Sequence, residues 1–205
     1  IYSSQKNFVK AFEYYAKGLR TAESIPDTKT MAHAYNNIGA TYMRQSLAAP
    51  TDAESKSYLW LSLENHMKGR QLAEEINDKA GMASSYTNIG NVYYNLGLLA
   101  DTEVEATSFY KKDLEFQENA LKIEEEMGNK HGMGITYSSI AIVHNMMDNM
   151  PQVKVCLEKA LALHQETGYK NGIKESYLYL SQLAEETKDF KQALKYHKLY
   201  VSMKD

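Results

Sequence analysis

A tyrosine-led stripe, Tyr35-x-x-Ile38-Gly39-x-x-Tyr42, returns as Tyr86-x-x-Ile89-Gly90-x-x-Tyr93, and then in altered form as Tyr137-x-x-Ile140-Ala141-x-x-His144 and Tyr177-x-x-Leu180-Ser181-x-x-Ala184. Positions spaced by three, four and seven residues fall on one face of a helix. A unit that recurs in this way cannot bury its apolar face alone, so its copies must stack side by side. The first three tyrosines are 51 residues apart and the fourth follows after 40. The difference of 11 is about three turns at 3.6 residues per turn, so it lengthens a helix without rotating its buried face.

Two capping patterns place those extra turns in the second helix of each long unit. Thr51-Asp52-Ala53-Glu54 and Thr102-Glu103-Val104-Glu105 both read Thr-x-x-Glu, the reciprocal start pattern of a helix. They predict helices over 52–76 and 103–127, with a shorter counterpart beginning near Pro151. A second-helix stripe is carried by Ala11, Phe12, Tyr14, Tyr15, Gly18 and Leu19, and again by Val153, Cys156, Leu157, Ala160 and Leu161, with small residues at the expected crossings. The turns Ile76-Asn77-Asp78-Lys79, Met127-Gly128-Asn129-Lys130 and Thr167-Gly168-Tyr169-Lys170 offer Gly or Asn for a left-handed helix stop. Pro26, Pro50 and Pro151 all fall where helices begin or end. The expected fold is all-α, with a leading second-type helix near 3–25 and four helix hairpins, nine helices in total.

These residues resemble the tetratricopeptide repeats, whose pattern is aromatic-x-x-Leu-Gly-x-x-Tyr followed by Ala-x-x-x-aromatic-x-x-Ala. Tyr35, Ile38, Gly39 and Tyr42 match the first half, while Ala11, Tyr15 and Gly18 match the second half of a preceding unit. The match is to the long, roughly 40-residue variety, with departures at Ala141, His144, Ser181 and Ala184. The resemblance implies an α-solenoid, a right-handed superhelix of antiparallel hairpins. It would be one array over 1–205, with a half repeat over 1–27 and repeats over about 28–77, 78–128, 129–168 and 169–205.

In the resembled family the first helices line a concave groove that receives an extended peptide or a partner helix. Carried over by position, the groove residues are His33, Asn36, Asn37 and Arg44 in the first unit, then Thr87, Asn88, Asn91 and Asn95 in the second. Asn37 and Asn88 are the sharpest candidates, because an amide donates and accepts at once and can grip a peptide backbone without reading side chains. Farther along, Glu175, Glu185 and Glu186 turn the groove acidic. The family's carboxylate-gripping subset uses Lys and Asn at set positions, and His33 stands where its Lys would be, so an acidic C-terminal tail is not the favoured ligand.

Composition narrows the function classes. A net charge of −3 without clustered Lys and Arg gives no reason to expect nucleic acid or an anionic membrane. The run Glu124-Glu125-Glu126 reads as a solvated helix face. Cys156, the only cysteine, reads as a small buried hydrophobe. The tyrosines at the head of each stripe read as core packing, and Met31, Met82 and Met133 as inter-repeat packing. His33, His66, His131, His144, His164 and His197 form neither His-Glu-x-x-His nor a zinc-spaced Cys/His set. Gly128, Gly132 and Gly134 have no preceding strand that would make them a phosphate loop. No enzyme activity, cofactor or metal is expected, and no membrane contact from this segment.

The expected function is therefore a protein- or peptide-binding scaffold. Segments such as Ala120–Lys130 and Tyr196–Asp205 also look like repeat arrays of Bacteroidetes-type sensor kinases and regulators, which would make the chain a sensory or docking input for signal transduction, often periplasmic, with a cytoplasmic location as the alternative. Two further readings stand beside it: a structural spacer or homodimer joined through its end helices, and a small-peptide receptor resembling Gram-positive repeat regulators. The start at Ile1 and the apolar set Phe190, Ala193, Leu194, Tyr196, Leu199 and Tyr200 suggest excision from a longer polypeptide.

Overall fold

A computed structural model describes residues 2–24 and 27–203, with residues 2–7, 9 and 23 described as backbone only. Ile1 and Pro26 lie outside the described residues. The described residues form nine α-helices and no strand: α1 Tyr2–Ser24, α2 Thr28–Leu47, α3 Asp52–Glu75, α4 Lys79–Leu98, α5 Glu103–Met127, α6 Lys130–Met146, α7 Met150–Thr167, α8 Lys170–Glu186 and α9 Phe190–Ser202. They divide into two compact units, Ile1–Ile123 and Glu124–Asp205.

In the first unit α1 packs on α2, α2 on α3 and α3 on α4, and α2 also touches α4. The second unit repeats the scheme, with α6 on α7, α7 on α8, α8 on α9, and α6 touching α8. The first helices of successive hairpins are thus direct neighbours within each unit. Within each unit, connectors of two to four residues force consecutive helices to run antiparallel.

The extra length of the first two repeats is shared by both helices of the hairpin. The second helices α3 and α5 have 24 and 25 residues against 18 in α7, but α2 and α4 also have 20 against 17 in α6 and α8. This corrects the expectation that the second helix alone takes the added turns. An antiparallel partner has to extend with it, or the apolar face of the new turns would stay uncovered.

Helix ends follow local chemistry. Thr51 and Thr102 hydroxyls accept from the amides of Glu54 and Glu105 at 3.2 Å, while the Glu105 carboxylate turns back to the Asp101 amide at 3.1 Å. Asp78 and Asn129 cap α4 and α6 through the amides of Gly81 and Gly132. Asn77, Gly128 and Gly168 take left-handed φ of 52°, 65° and 68° at the ends of α3, α5 and α7. Asp148 and Lys188 do the same at φ of 55° and 61° after α6 and α8.

The core of the first unit is Leu59 and Leu63 of α3 against Ile89, Val92, Tyr93 and Leu96 of α4. Each such aliphatic side chain contributes roughly 1.5–3 kcal/mol when fully buried. Aromatic pairs extend it: Tyr93 stacks on Phe109 and Phe116, Tyr42 lies against Phe12 and Tyr58, and Trp60 meets Phe109 edge-on at 6.2 Å. In the second unit Val153, Cys156, Leu157 and Ala160 of α7 are buried as the stripe requires.

Several side chains depart from the sequence expectation. The leading tyrosines Tyr35, Tyr86, Tyr137 and Tyr177 are half-buried rather than core. Their rims are polar: Lys68 lies over Tyr35, Arg70 over Tyr86 and Lys159 over Tyr137, and Gln165 donates to the Tyr177 hydroxyl. Tyr14 is 71% exposed and so lies off the α1 stripe, and a Cβ at Gly18 would meet nothing within 4 Å. Glu124 is buried, not solvated, because it follows Gln117 and Ala120 along the inward face of α5.

Candidate functional site

All eight sequence-selected residues fall in the first unit, on its two neighbouring first helices. α2 carries His33, Asn36, Asn37 and Arg44, and α4 carries Thr87, Asn88, Asn91 and Asn95. His33, Asn37 and Arg44 are exposed, and the other five are half-buried. The amphipathic pattern explains the arrangement: Ala32, Ala34 and Gly39 on α2 and Ile89, Gly90 and Tyr93 on α4 turn inward, leaving the residues beside them at the edge.

The eight divide into two kinds. Asn36 is spent inside the protein: its Oδ1 accepts from His66 Nδ1 at 2.9 Å, and its Nδ2 donates to Ser85 Oγ at 2.8 Å. Ser85 in turn donates to the Gly81 carbonyl. This relay joins α2, α3 and α4 and puts the His66 proton on Nδ1, since the Asn36 oxygen can only accept. Burial lowers the His66 pKa to about 4, so the ring is neutral. Asn91 Oδ1 likewise accepts from Gln117 Nε2 at 3.3 Å, and Asn95 donates to the Asn91 carbonyl of its own helix.

Asn37, Thr87, Asn88 and Arg44 differ: the described contacts give their side chains no hydrogen bond or ion pair within the chain. Asn37 and Asn88 are therefore amides on adjacent helices with both functions unspent. The Asn36–Ser85 bond joins those two helices.

Glycine at the fourth position of the stripe now has a cause. A Cβ on Gly39 would lie 2.8 Å from the His66 ring, and one on Gly90 would lie 2.5 Å from Asp113 Oδ1 and 2.7 Å from Gln117 Nε2. The room goes to buried polar side chains of the second helix. Sequence spacing did not single these out, because their partners are 23 to 49 residues away.

The second unit has its own polar contacts. Glu124 accepts from Thr136 at 2.9 Å, burial raising the carboxyl's pKa, and Ser138 meets His164 Nε2 at 3.3 Å. Glu175, Glu185 and Glu186 are exposed on α8. A cleft of about 410 Å³ opens between α7, α8 and α9, with Leu180, Leu183 and Ala184 as its floor and Lys154, Glu158 and Tyr196 at its rim. It contains none of the eight residues. Among the described residues no group of three His, Cys, Asp or Glu converges as a metal site, and no helix is long and apolar enough to cross a membrane.

Hairpins of this kind, whose first helices touch within each unit, define a helical repeat protein. Comparison with solved structures agrees at the level of the fold. The apo form of RapI superposes with a TM-score of 0.69 at 12% identity over 97% of this chain and 49% of RapI, so the chain spans about half the length of that protein. BtubC (BKLC) from P. vanneervenii gives 0.56 at 11% identity over 98% of this chain and 90% of the other. The de novo designed helical repeat protein DHR81 gives 0.55 at 18% over 98% and 91%. No protein-family profile and no curated protein matches the chain.

Proposed function

We propose that the chain is a non-enzymatic tetratricopeptide-like scaffold whose first unit docks an extended peptide segment across α2 and α4. The carrying observation is the split among the asparagines: Asn36 and Asn91 are held internally, while Asn37 and Asn88 keep whole amides unspent on neighbouring helices. A carboxamide offers a donor and an acceptor together, the complement of one peptide unit. No carboxylate stands among the eight residues, and His33 and Arg44 are the only titratable ones. An uncharged or weakly acidic stretch of backbone suits that surface. Such a role fits a docking or sensory input in a signalling protein, with the whole chain as one repeat array.

The test is selection from a displayed library of extended peptides on the intact chain, followed by affinity measurement on single variants. Asn37→Ala and Asn88→Ala each lower the affinity of the selected peptide about tenfold with helicity unchanged, as expected for the loss of about 1.4 kcal/mol of paired hydrogen bonds. Equal affinity in both variants would remove these residues from the site. Self-association is the second reading, favoured by Phe190 and Leu194 of α9 at 69% and 57% exposure. A sedimentation series in protein concentration separates it from docking.

A further inference from the structure

The buried carboxyl of Asp113 has no role in the docking surface, yet it lies two hydrogen bonds from it, through Gln117. Asp113 and Gln117 are 1% and 0% exposed. Gln117 Nε2 donates both to Asp113 Oδ1 at 3.1 Å and to Asn91 Oδ1 at 3.3 Å. The other half of each group, Asp113 Oδ2 and Gln117 Oε1, is buried without a partner. Buried polar atoms are nearly always paired, so two acceptors with no donor on hydrogen-bonded side chains require an explanation.

The repeat supplies one. Ser62 stands 51 residues before Asp113, and its hydroxyl donates to the Gly39 carbonyl at 2.8 Å. Gly90, 51 residues after Gly39, is the glycine against which Asp113 packs. The position is thus a donor position, and a carboxyl group can donate only when it carries a proton. With the proton on Oδ2, Gln117 Oε1, itself buried without a partner, is the acceptor that would close an acid–amide ring with the existing Nε2 bond.

We propose that Asp113 is held as the neutral carboxylic acid and works, through Gln117, as a proton-operated latch on Asn91, so that the inner face of the first unit differs below and above neutral pH. On deprotonation the proton leaves to solvent, and Asp113 Oδ2 and Gln117 Oε1 become two acceptors with no hydrogen between them. Their repulsion turns the Gln117 amide, and its Nε2 bond to Asn91 Oδ1 is given up. The meaning for partner binding rests on the docking reading of that face; the latch itself does not.

The electrostatics agree with the geometry. Burial pushes the Asp113 carboxyl up to about 7, against the opposing pull of the Gln117 bond. No charged group of α3, α4 or α5 contributes to that shift. Titratable groups on the adjoining helices include His66 of α3, neutral by burial, Tyr93 and Tyr94 of α4, and Tyr110, Lys112 and Glu115 of α5. Burial raises the Tyr93 and Tyr110 phenols, which therefore stay neutral in this range, and Lys112 turns to the Tyr93 ring.

The folded chain keeps this proton up to about pH 7 and the unfolded chain only up to about its ordinary 3.8, so the stabilisation is complete at low pH and is lost as pH rises through that window. Asp113→Asn is an uncharged isostere of the acid and Asp113→Ser restores the first repeat's donor. For the intact chain in urea, the ratio of unfolding constants, wild type over either variant, rises about fiftyfold between pH 5 and pH 7 and levels above that, at about ninetyfold by pH 8. The Asn91 side-chain amide resonances of the wild type, recorded without any ligand, shift with the same midpoint and stand still in Asp113→Asn. A ratio that does not change with pH would overturn the latch, and Asn91 resonances that ignore the titration would overturn its link to the inner face. Both readings are taken without a partner, so failure of the peptide-docking proposal leaves them intact and is told apart from failure of the latch.

Discussion

Lys188 shows how a single backbone position can be out of keeping with its residue type. It ends α8 with a φ of 61°, where a Cβ costs about 1–2 kcal/mol. Asn77, Gly128 and Gly168 hold the left-handed stop with residues suited to it. Lys188→Gly should therefore stabilise the chain by about 0.5–1 kcal/mol after the entropy that glycine adds to the unfolded state, read as a higher urea midpoint. The stops at Asn77, Gly128 and Gly168 were legible in the sequence because Asn or Gly marks them. Those at Asp148 and Lys188 were not, since nothing local distinguishes a lysine that ends a helix from one on its face. Glu124 was misread for a related reason: three consecutive glutamates look solvated until the inward face of α5 is traced through Gln117 and Ala120.

Among the helices, periodicity carried nearly all the information. α5 spans the expected residues, and α3 ends one residue early. What periodicity could not supply was the division of the extra turns, because a stripe records the face of a helix but not how far its partner runs beside it. The start of α5 offers a measurement at this scale. Thr102→Ala removes the acceptor for the Glu105 amide and should cost about 1 kcal/mol, and Thr51→Ala should cost a similar amount at α3. Thermal melting of the two single variants checks this. A loss confined to one of them would mean that the two long hairpins do not begin alike.

For the whole molecule, pH response is set by buried groups that neither motif nor composition revealed. Asn36 was selected as a groove residue because its position fits one, whereas its amide is occupied by His66 and Ser85, which lie 30 and 49 residues away. Contacts at that separation exist only after the hairpins stack. The His66 pKa is depressed to about 4 from 6.5, so the unfolded chain binds the proton more readily. Its stabilisation is complete above about pH 6.5 and is lost as pH falls towards 4, about 3 kcal/mol in all. His66→Gln, which copies the residue at Gln117, should remove this acid-side loss in urea titrations. Because Asp113 acts with the opposite sign over the same range, the wild-type profile should be flatter than that of either variant. Following those profiles is made simpler by Trp60. It is the only indole in the chain and is seated against Phe109 within residues 1–123, so its emission gives the first unit an intrinsic optical reporter that is silent about the second.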